Sequence, residues 1–377
     1  MELSASEHER YSRHLLLAEV GRAGQEKLRA ARVLVVGAGG LGSPAVLYLV
    51  AAGVGTVGLV DCDKVELSNL QRQILFDTDD VARPKVAAAR DRLLELNPHV
   101  EVVAHELEIC AANVGAIVSE YHVVIDGSDR VGTRYLVNDS CVILHKPLIS
   151  AAIHRFEGQA MTYVPGRGPC YRCLFPDAAQ AQIASCAEAG VLGVLPGVLG
   201  TIQATEAIKL ILGLGDLLVG RLLTYDALEM RFHEFPFERR PDCAVCGVAP
   251  RITVPADADP FRQGAPRSLR RLLPSELFAL LQEADHGGPP VRMIDVREPL
   301  EFDAGHLAGA VSVPLAQIER MEWSSARAGP TVFMCRSGAR SLQACAIASR
   351  QGLPELSHLE GGLIAWAAAI DPTLRIV

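Results

Sequence analysis

Uniformly apolar runs alternate with amphipathic runs over the first part of the chain. Five of these runs have the length and composition of strands buried on both faces of a sheet: they are residues 32–37, 57–60, 100–104, 122–125 and 147–153. The segments between them carry helical periodicity, as at 86–96, where Asn97-Pro98 supplies the stop. Alternation of strand and helix predicts an α/β fold with a doubly wound, mainly parallel sheet.

The same pattern restarts near the carboxyl end of the chain. Apolar runs at 291–297 and 330–335 predict two more strands, and a helix is expected after the second. Residues 248–267 are rich in Pro, Ala and Asp and have weak periodicity, which indicates a linker. We therefore predict a first domain over residues 1–247 and a second, smaller α/β domain over residues 268–377.

Composition narrows the class of protein and its compartment. Hydrophobic residues make up 49% of the 377 residues and charged residues 21%, enough for a sizeable buried core. The net charge of −8 gives no basis for expecting nucleic acid as a partner. No uninterrupted apolar run reaches the ~18 residues of a membrane span, and the amino terminus is too polar for a signal peptide. We expect a cytoplasmic protein without membrane contact, whose ten cysteines are ligands or catalysts rather than disulfides.

The glycine-rich turn after the first apolar run indicates a nucleotide site. Gly37, Gly39 and Gly42 fit the dinucleotide-binding fingerprint, and Asp61 follows at about the ribose-binding distance of ~20 residues. A nicotinamide dehydrogenase is one interpretation of these features. Such an enzyme also needs a hydride-transfer pocket, and no sequence feature indicates one.

Two cations favour a polyphosphate over a dinucleotide. Arg72 and Lys85 follow a turn that opens at a helix N-terminus, and charge-assisted contacts from such groups neutralise a leaving pyrophosphate. Asp129 follows a later strand and suits Mg²⁺, which takes one or two carboxylates together with phosphate oxygens. Either cation alone is explained as ordinary surface charge, but together with the glycine turn they predict an ATP site.

Five cysteines are candidates for chemistry in the first domain. Cys170 and Cys173, and then Cys243 and Cys246, form two Cys-x-x-Cys pairs with the bite that a tetrahedral Zn²⁺ needs. Four thiolates leave no open position, so we predict a structural zinc site, with a redox dithiol as the alternative. Cys186 lies in a small-residue segment expected to be a mobile crossover, where it is either a packing residue or a catalytic thiol.

Cys335 ends an apolar run and opens a loop that leads into a helix. Backbone N–H groups, the helix N-terminus and the cations Arg336 and Arg340 favour the thiolate, the form that acts as a nucleophile. Cysteine phosphatases carry their loop Arg six residues after the Cys, whereas Arg340 lies five after Cys335. The smaller loop fits a persulfide sulfur better than a phosphate.

These linked motifs resemble the MoeB/ThiF branch of the ubiquitin-activating superfamily. The resemblance covers residues 9–247 and rests on Arg10-Tyr-Ser-Arg13-His, the Gly-Ala-Gly-Gly-Leu-Gly turn, Asp61-Cys-Asp63, Ser68-Asn69-Leu-Gln-Arg72-Gln73, Lys85, Asp126-Gly-Ser-Asp129 and the two cysteine pairs. Residues 268–377 resemble a single rhodanese domain through Asp295-Val-Arg297-Glu-Pro, the Cys335 loop and Gly361-Gly-Leu-Ile-Ala-Trp366. The resemblance implies a Rossmann-like ubiquitin-activating/ThiF fold followed by a rhodanese fold.

The resemblance also implies a set of ATP-binding residues. They are Arg13, Gly40, Asp61, Asp63, Ser68, Asn69, Arg72, Gln73, Lys85, Asp129 and Arg130. Gly40 is expected to approach the nucleotide and Asp61 to bind the ribose. Asn69, Arg72 and Lys85 are expected to bind the phosphates.

Three of these residues, and Cys186, have implied roles that differ in kind. Asp129 would hold Mg²⁺, and Arg13 would reach the ATP of a neighbouring subunit, which implies a homodimer. Arg130 departs from the family, which usually has Asn at this position, so its role is open. Cys186 resembles the crossover-loop cysteine of the family, which in sulfur-transfer members is proposed to attack an acyl disulfide.

Together the two resemblances predict an enzyme that is both an adenylyltransferase and a sulfurtransferase and uses ATP, Mg²⁺ and Zn²⁺. It would adenylate the C-terminal glycine of a ubiquitin-like sulfur-carrier protein ending in Gly-Gly. A persulfide on Cys335, formed from a cysteine desulfurase or thiosulfate, would then yield a thiocarboxylate. The alternatives are a nicotinamide oxidoreductase fused to a sulfur-binding module and a non-catalytic scaffold. Asp295, Arg297 and His306 are expected to be scaffold residues.

Overall fold

The chain divides into two compact units, residues 1–259 and 260–377. The computed structural model describes residues 3–176, 190–257, 269–318, 320–321, 329–353 and 356–376. The linker predicted at 248–267 is therefore described only as far as residue 257.

The first unit contains helices on both faces of one large sheet. Its helices are α1 (Ala5–Arg10), α2 (Ser12–Leu15), α3 (Gly21–Ala30), α4 (Gly42–Ala51), α5 (Lys85–Leu96), α6 (Val114–Ser119), α7 (Val131–Ile143), α8 (Tyr171–Leu174) and α9 (Leu195–Leu212). Its strands are β1 (Arg32–Val36), β2 (Thr56–Val60), β3 (Glu101–His105), β4 (Val123–Asp126), β5 (Leu148–His154), β6 (Glu157–Tyr163), β7 (Arg221–Asp226) and β8 (Arg231–Pro236).

The sheet has the order β3-β2-β1-β4-β5-β6-β7-β8, with β1 to β5 parallel and β6 to β8 added antiparallel. The chain turns from β1 to β2 on one side and reaches β4 on the other. This reversal makes a topological switch point, and ligands bind there at the carboxyl ends of the strands.

Burial on both faces explains why β1 has no polar residue after Arg32. Val33 and Val35 pack in the core under α4, α5 and α9, whereas Leu34 and Val36 pack in the core under α6 and α7. A strand that is covered on both faces is expected to be continuously apolar. The predicted Rossmann-like doubly wound sheet is confirmed.

Helix α9 is a core helix of this sheet. Among the described residues it is the one helix long and apolar enough to cross a membrane by length and composition. Half of it is buried, and its Ala204 and Ala207 pack in the same core as Val46 and Leu49 of α4.

The strand that follows β5 is not among those that the apolar runs predict. Strand β6 pairs with β5 in register His154↔Glu157, so only Arg155 and Phe156 form the turn. Arg155 adopts a left-handed φ of 53°. Two-residue hairpin turns usually contain Asn-Gly or Asp-Gly, and this turn contains neither.

The second unit is a smaller, all-parallel α/β sheet with its own core. Its strands are β9 (Arg270–Leu272), β10 (Arg292–Asp295), β11 (Val311–Ser312), β12 (Thr331–Met334) and β13 (Leu356–Leu359), in the order β11-β10-β12-β13-β9. Its helices are α10 (Pro274–Asp285), α11 (Pro299–Ala304), α12 (Leu315–Ile318), α13 (Ala339–Arg350) and α14 (Gly362–Ala369). This confirms the prediction of a second, smaller α/β domain.

Candidate active sites

The glycine turn after β1 forms the floor of a cleft at the switch point. Gly37 has φ +94°, and a Cβ on it would lie 3.0 Å from Gly127 O. A Cβ on Gly42 would overlap Gly37 O, so the start of α4 can come this close to the turn only without a side chain. Gly40 lies between Pro196 of α9 and the stem of Arg72. The turn thus exposes backbone to a ligand while the glycines keep it closely packed.

Asp61 ties the end of β2 to this turn. Its Oδ2 accepts a hydrogen bond from Ala38 N at 2.8 Å, and its Oδ1 accepts one from Asp63 N at 2.8 Å. Burial raises the pKa of Asp61, while Lys85 and the two N–H donors act in the opposite direction. The carboxylate is held in place at the cleft wall, as the predicted ribose contact requires.

The polar wall of the cleft contains cations and unsatisfied polar atoms. Lys85 has a side chain only 7% exposed, and its Nζ lies 3.1 Å from Asp63 Oδ2. Arg72 donates to Ser68 O at 3.2 Å. Gln73 Oε1 and Arg134 Nε are buried without a hydrogen-bond partner among the described residues. The cations and the Arg134 Nε donor fit a bound polyphosphate, which supplies both negative charge and acceptors, whereas Gln73 Oε1 is an acceptor and would need a donor from the ligand.

The loop after β4 forms the opposite wall of the cleft. Asp126 is buried and accepts from Ser128 N at 3.0 Å and Ser128 Oγ at 2.6 Å, which fixes the turn. Asp129 is exposed and lines the cleft. Arg130, the departure from the family, forms an ion pair with Glu108 at 2.5 Å on the same rim.

The structure brings most, but not all, of the predicted ATP-binding residues together. Those that line the cleft are Gly40, Asp61, Asp63, Arg72, Gln73, Lys85, Asp129 and Arg130. Asn69 is buried and accepts from Glu66 N at 3.3 Å, and Ser68 is exposed beside it. Arg13 lies on α2 with its side chain exposed, and neither it nor the Ser68–Asn69 pair lines this cleft.

Sequence reasoning missed Arg134 in the cleft. It follows Arg130 by one helical turn on α7, is 7% exposed, and donates to Ser128 O at 2.9 Å. Its spacing of four residues from Arg130 was an available signal, because residues at i and i+4 share a helix face. Glu108 carried no comparable local signal.

The two cysteine pairs meet in one buried cluster. Cys170 Sγ lies 3.7 Å from Cys243 Sγ, and Cys173 Sγ lies 3.4 Å from Cys246 Sγ. All four sulfurs lie within 4.8 Å of one another. Zn–S bonds of ~2.3 Å in a tetrahedron place sulfurs about 3.8 Å apart, so the arrangement fits a Zn²⁺ site. Contact with Cys170 lowers the pKa of the Cys173 thiol.

Helix α7 connects the cysteine cluster to the cleft at the switch point. Arg172, between the first two cysteines, binds Asp139 of α7 through two hydrogen bonds of 2.7 Å and lies over the ring of Tyr135. Tyr171 N donates to Asn138 Oδ1 at 2.9 Å. The same helix carries Arg134 at the cleft, so the two sites share one rigid element.

Cys186, the predicted crossover cysteine, lies outside the described residues.

In the second unit, Cys335 lies directly after β12 and is 1% exposed. Its Sγ accepts from Gly338 N at 3.1 Å and lies 3.8 Å from Ser341 Oγ. Gly338 has φ +96°, and Gly362 packs so closely that a Cβ would lie 2.5 Å from Cys335 O. The loop therefore offers the sulfur the N–H of Gly338, a contact that favours a thiolate or persulfide.

Arg340, predicted to assist Cys335, has an acidic partner that the sequence did not reveal. Its two terminal nitrogens bind Glu301 of α11 at 2.6 and 2.7 Å. Arg336 is half-buried on the same loop, and Ile364 N donates to its carbonyl oxygen at 3.0 Å.

The residues expected to be scaffold lie in structural contacts. Asp295 and Arg297 form an ion pair of 2.7 Å with both side chains fully buried. Arg297 Nη2 also donates to Gly305 O at 2.7 Å. His306 stacks on Phe302 with ring centroids 3.8 Å apart. These contacts agree with a scaffold role.

The fold and these two sites define the class of protein. The ThiF family model matches residues 11–245, and the rhodanese-like domain model matches residues 276–369. The chain belongs to the ThiF family and carries a rhodanese-like domain after it, which confirms the predicted family.

Two relatives match this chain over almost its whole length. One is the "Probable adenylyltransferase/sulfurtransferase MoeZ" of Mycobacterium tuberculosis, 41% identical over 387 residues, which are 99% of this chain and 96% of the relative. Another is the "Adenylyltransferase and sulfurtransferase MOCS3" of Sus scrofa, 42% identical over 401 residues, with coverage of 98% and 88%.

Solved structures of MccB from E. coli match part of the chain. The structure with ATP has a TM-score of 0.57 and 27% identity, and covers 65% of this chain and 75% of MccB. The structure with succinimide has a TM-score of 0.56 and 28% identity, with coverage of 63% and 73%.

Proposed function

We propose that this chain adenylates the C-terminal carboxylate of a ubiquitin-like sulfur-carrier protein and then replaces the adenylate with sulfur delivered by Cys335. Its relatives carry both activities in their names and match over nearly the whole chain. The chain is accordingly an adenylyltransferase and a sulfurtransferase. One observation supports the first step most directly: the cleft at the switch point combines the glycine turn with Arg72 and Lys85.

Adenylation is the step assigned to the cleft. The carrier carboxylate attacks the α-phosphorus of ATP, the bond to the β-phosphate oxygen breaks, and pyrophosphate leaves. Arg72 and Lys85 face the leaving group, Asp61 holds the ribose, and the Gly40 backbone borders the nucleotide. Asp129 would hold Mg²⁺, which would neutralise charge on the phosphates.

Sulfur transfer is the step assigned to Cys335. Its persulfide attacks the carbonyl carbon of the acyl-adenylate, a C–S bond forms, and AMP leaves. A free carboxylate would not react in this way, because its leaving group is poor. Cys186 then attacks the Cys335 sulfur of the acyl disulfide and releases the thiocarboxylate. The Cys186–Cys335 disulfide that results is reduced by a cellular thiol. The persulfide itself is formed from a cysteine desulfurase or thiosulfate.

Zn²⁺ is proposed for the cluster of Cys170, Cys173, Cys243 and Cys246. Four buried thiols at tetrahedral spacing support it, and four thiolate ligands leave no open position, which makes its role structural. A homodimer is proposed from Arg13, which is exposed on α2 and does not line the cleft of its own chain.

Pyrophosphate exchange tests adenylation. We expect exchange of labelled pyrophosphate into ATP only when a small Gly-Gly-ending carrier is added, and none with a carrier that lacks the final glycine. Binding of NADH without ATP binding would instead support an oxidoreductase. A lack of exchange with every carrier would support a scaffold.

Mass spectrometry of the carrier tests sulfur transfer. With ATP and thiosulfate we expect the mass shift of a thiocarboxylate, and Cys335→Ala should abolish it. Cys345→Ala is the control, because Cys345 is buried in α13 of the same unit and its thiol donates to Ser357 O. Thiocarboxylate formation by Cys335→Ala at the wild-type rate would refute the assignment.

A further inference from the structure

The ion pair between Glu301 and Arg340 is a charged contact built into the Cys335 loop. Arg340 is the second residue of α13 and lies five residues after Cys335. Both of its terminal nitrogens bind the two oxygens of Glu301, and the side chains are 6% and 19% exposed. This is the fork-to-fork geometry in which a guanidinium binds an oxyanion most strongly.

The geometry determines what Arg340 can offer to a substrate. An Arg in a cysteine loop clamps an incoming oxyanion when its two terminal nitrogens point at the ligand. Here a carboxylate of the protein already takes those two positions. A dianion that enters the loop would have to compete with Glu301 for Arg340 and would meet the negative charge of Glu301.

Glu301 is fixed in its charged form from two sides. Its Oε2 also accepts from Glu298 N at 2.9 Å, because Glu301 is the N3 residue of a capping box at α11. Burial raises the pKa of Glu301, but the hydrogen bonds from Arg340 and Glu298 N, with the charges of Arg340 and Arg297, outweigh it and leave the pKa lowered. The carboxylate therefore stays ionised at neutral pH.

We propose that Glu301 is a specificity-determining residue of the sulfurtransferase site. By holding Arg340 it makes the Cys335 loop discriminate against dianionic sulfur donors and favour donors of lower charge, such as a persulfide on a cysteine. This inference rests on the proposed role of Cys335 as the sulfur acceptor.

The reaction is the same for each class of donor. With thiosulfate, the Cys335 thiolate attacks the outer sulfur, the S–S bond of thiosulfate breaks, and sulfite leaves with the electron pair. With an aromatic thiosulfonate, which carries one negative charge, the same attack releases a sulfinate. Both leave a persulfide on Cys335, so the two donors differ in charge and not in the bond that breaks.

Glu301→Gln in the full-length protein tests the proposal. Gln keeps the N3 cap but removes the charge. We expect the ratio of the KM for thiosulfate to the KM for benzenethiosulfonate to fall about fivefold or more. The reason is that the substitution removes one negative charge from a partly buried site, and thiosulfate carries one more negative charge than benzenethiosulfonate. The matched control is Glu276→Gln, since Glu276 is the N3 residue of α10 and accepts from Leu273 N at 2.8 Å. Its cationic partner, Arg270, is exposed and 3.9 Å away.

Sulfate provides a readout that needs no sulfur transfer. Alkylation of Cys335 by iodoacetamide, followed by peptide mass spectrometry, should be protected by sulfate over chloride at equal ionic strength in Glu301→Gln, and not in the wild type. Sulfate protection of the wild-type loop would overturn the proposal even if the variant did not fold. The proposal would also be overturned if Glu301→Gln left the ratio of the two KM values unchanged and sulfate did not protect Cys335 of this variant from alkylation. Failure of the wild type to form a persulfide with either donor, in contrast, would count against the function of Cys335 itself.

Discussion

The charged residues of the nucleotide cleft are held in place before any ligand arrives. Lys85 is buried against Asp63, and Asp61 is held by two backbone N–H groups. A fixed cation at the position where negative charge develops needs little reorganisation during the reaction, which is the main source of electrostatic catalysis. We therefore expect activity to be sensitive to substitution of these individual side chains.

Lys85→Met should remove this cation with little effect on folding, because its partner Asp63 is exposed and can be solvated. We expect kcat/KM for pyrophosphate exchange to fall by about 10²–10³-fold. Lys64→Met is the control, since Lys64 is exposed, lies beside Asp63 in the chain and does not line the cleft. Equal exchange rates for both variants would exclude a phosphate-binding role for Lys85.

Among the elements, the junction of β1 and α4 is the most tightly packed part of the cleft. The contact of Gly42 with Gly37 O leaves no room for a methyl group, whereas a Cβ on Gly39 would have only Gln73 Nε2 nearby, at 3.7 Å. The two glycines belong to one motif, but packing constrains them differently.

Gly42→Ala should lower the free energy of unfolding by about 3 kcal/mol, at the upper end of the range for overpacking, because the clashing atom is backbone. Gly39→Ala should change it by less than about 0.5 kcal/mol. Urea denaturation of the two variants measures the difference. Similar stabilities would mean that the turn does not pack as described.

The sequence predicts elements whose signals are local and misses those that depend on distant partners. Strand β1 and the glycine turn were predicted because an apolar run and three glycines follow one another. Strand β6 was missed because its turn, Arg155-Phe156, lacks the usual residues. The partner of Arg340 was missed because Glu301 lies 39 residues earlier and only the fold brings the two together.

At the scale of the whole molecule, each unit has its own sheet and its own hydrophobic cores. The prediction that two reactions are joined in one chain rests on the resemblance to two families. Among the described residues, those proposed for adenylation lie in the first unit and Cys335 lies in the second. In the proposed homodimer, Arg13 of a second subunit would complete the ATP site.

Mixing two inactive variants tests this arrangement. We expect Arg13→Ala and Lys85→Met to be impaired separately and to regain pyrophosphate exchange when their subunits are mixed. A mixed dimer contains one site with both Lys85 and an Arg13 from the other subunit, so up to about a quarter of wild-type activity per total subunit should return. If Arg13 acts in its own chain, mixing restores nothing.

Helix α7 contacts both the proposed zinc site and the proposed nucleotide site. It presents Arg134 to the cleft near its start and, five residues further on, binds Arg172 of the cysteine cluster through Asp139. If order at one end favours order at the other, the two equilibria are linked, and linkage is reciprocal. The factor by which bound Zn²⁺ strengthens ATP binding must then equal the factor by which ATP strengthens Zn²⁺ binding in equilibrium competition with a chelator. A high concentration of ATP would then help the protein to retain the proposed Zn²⁺.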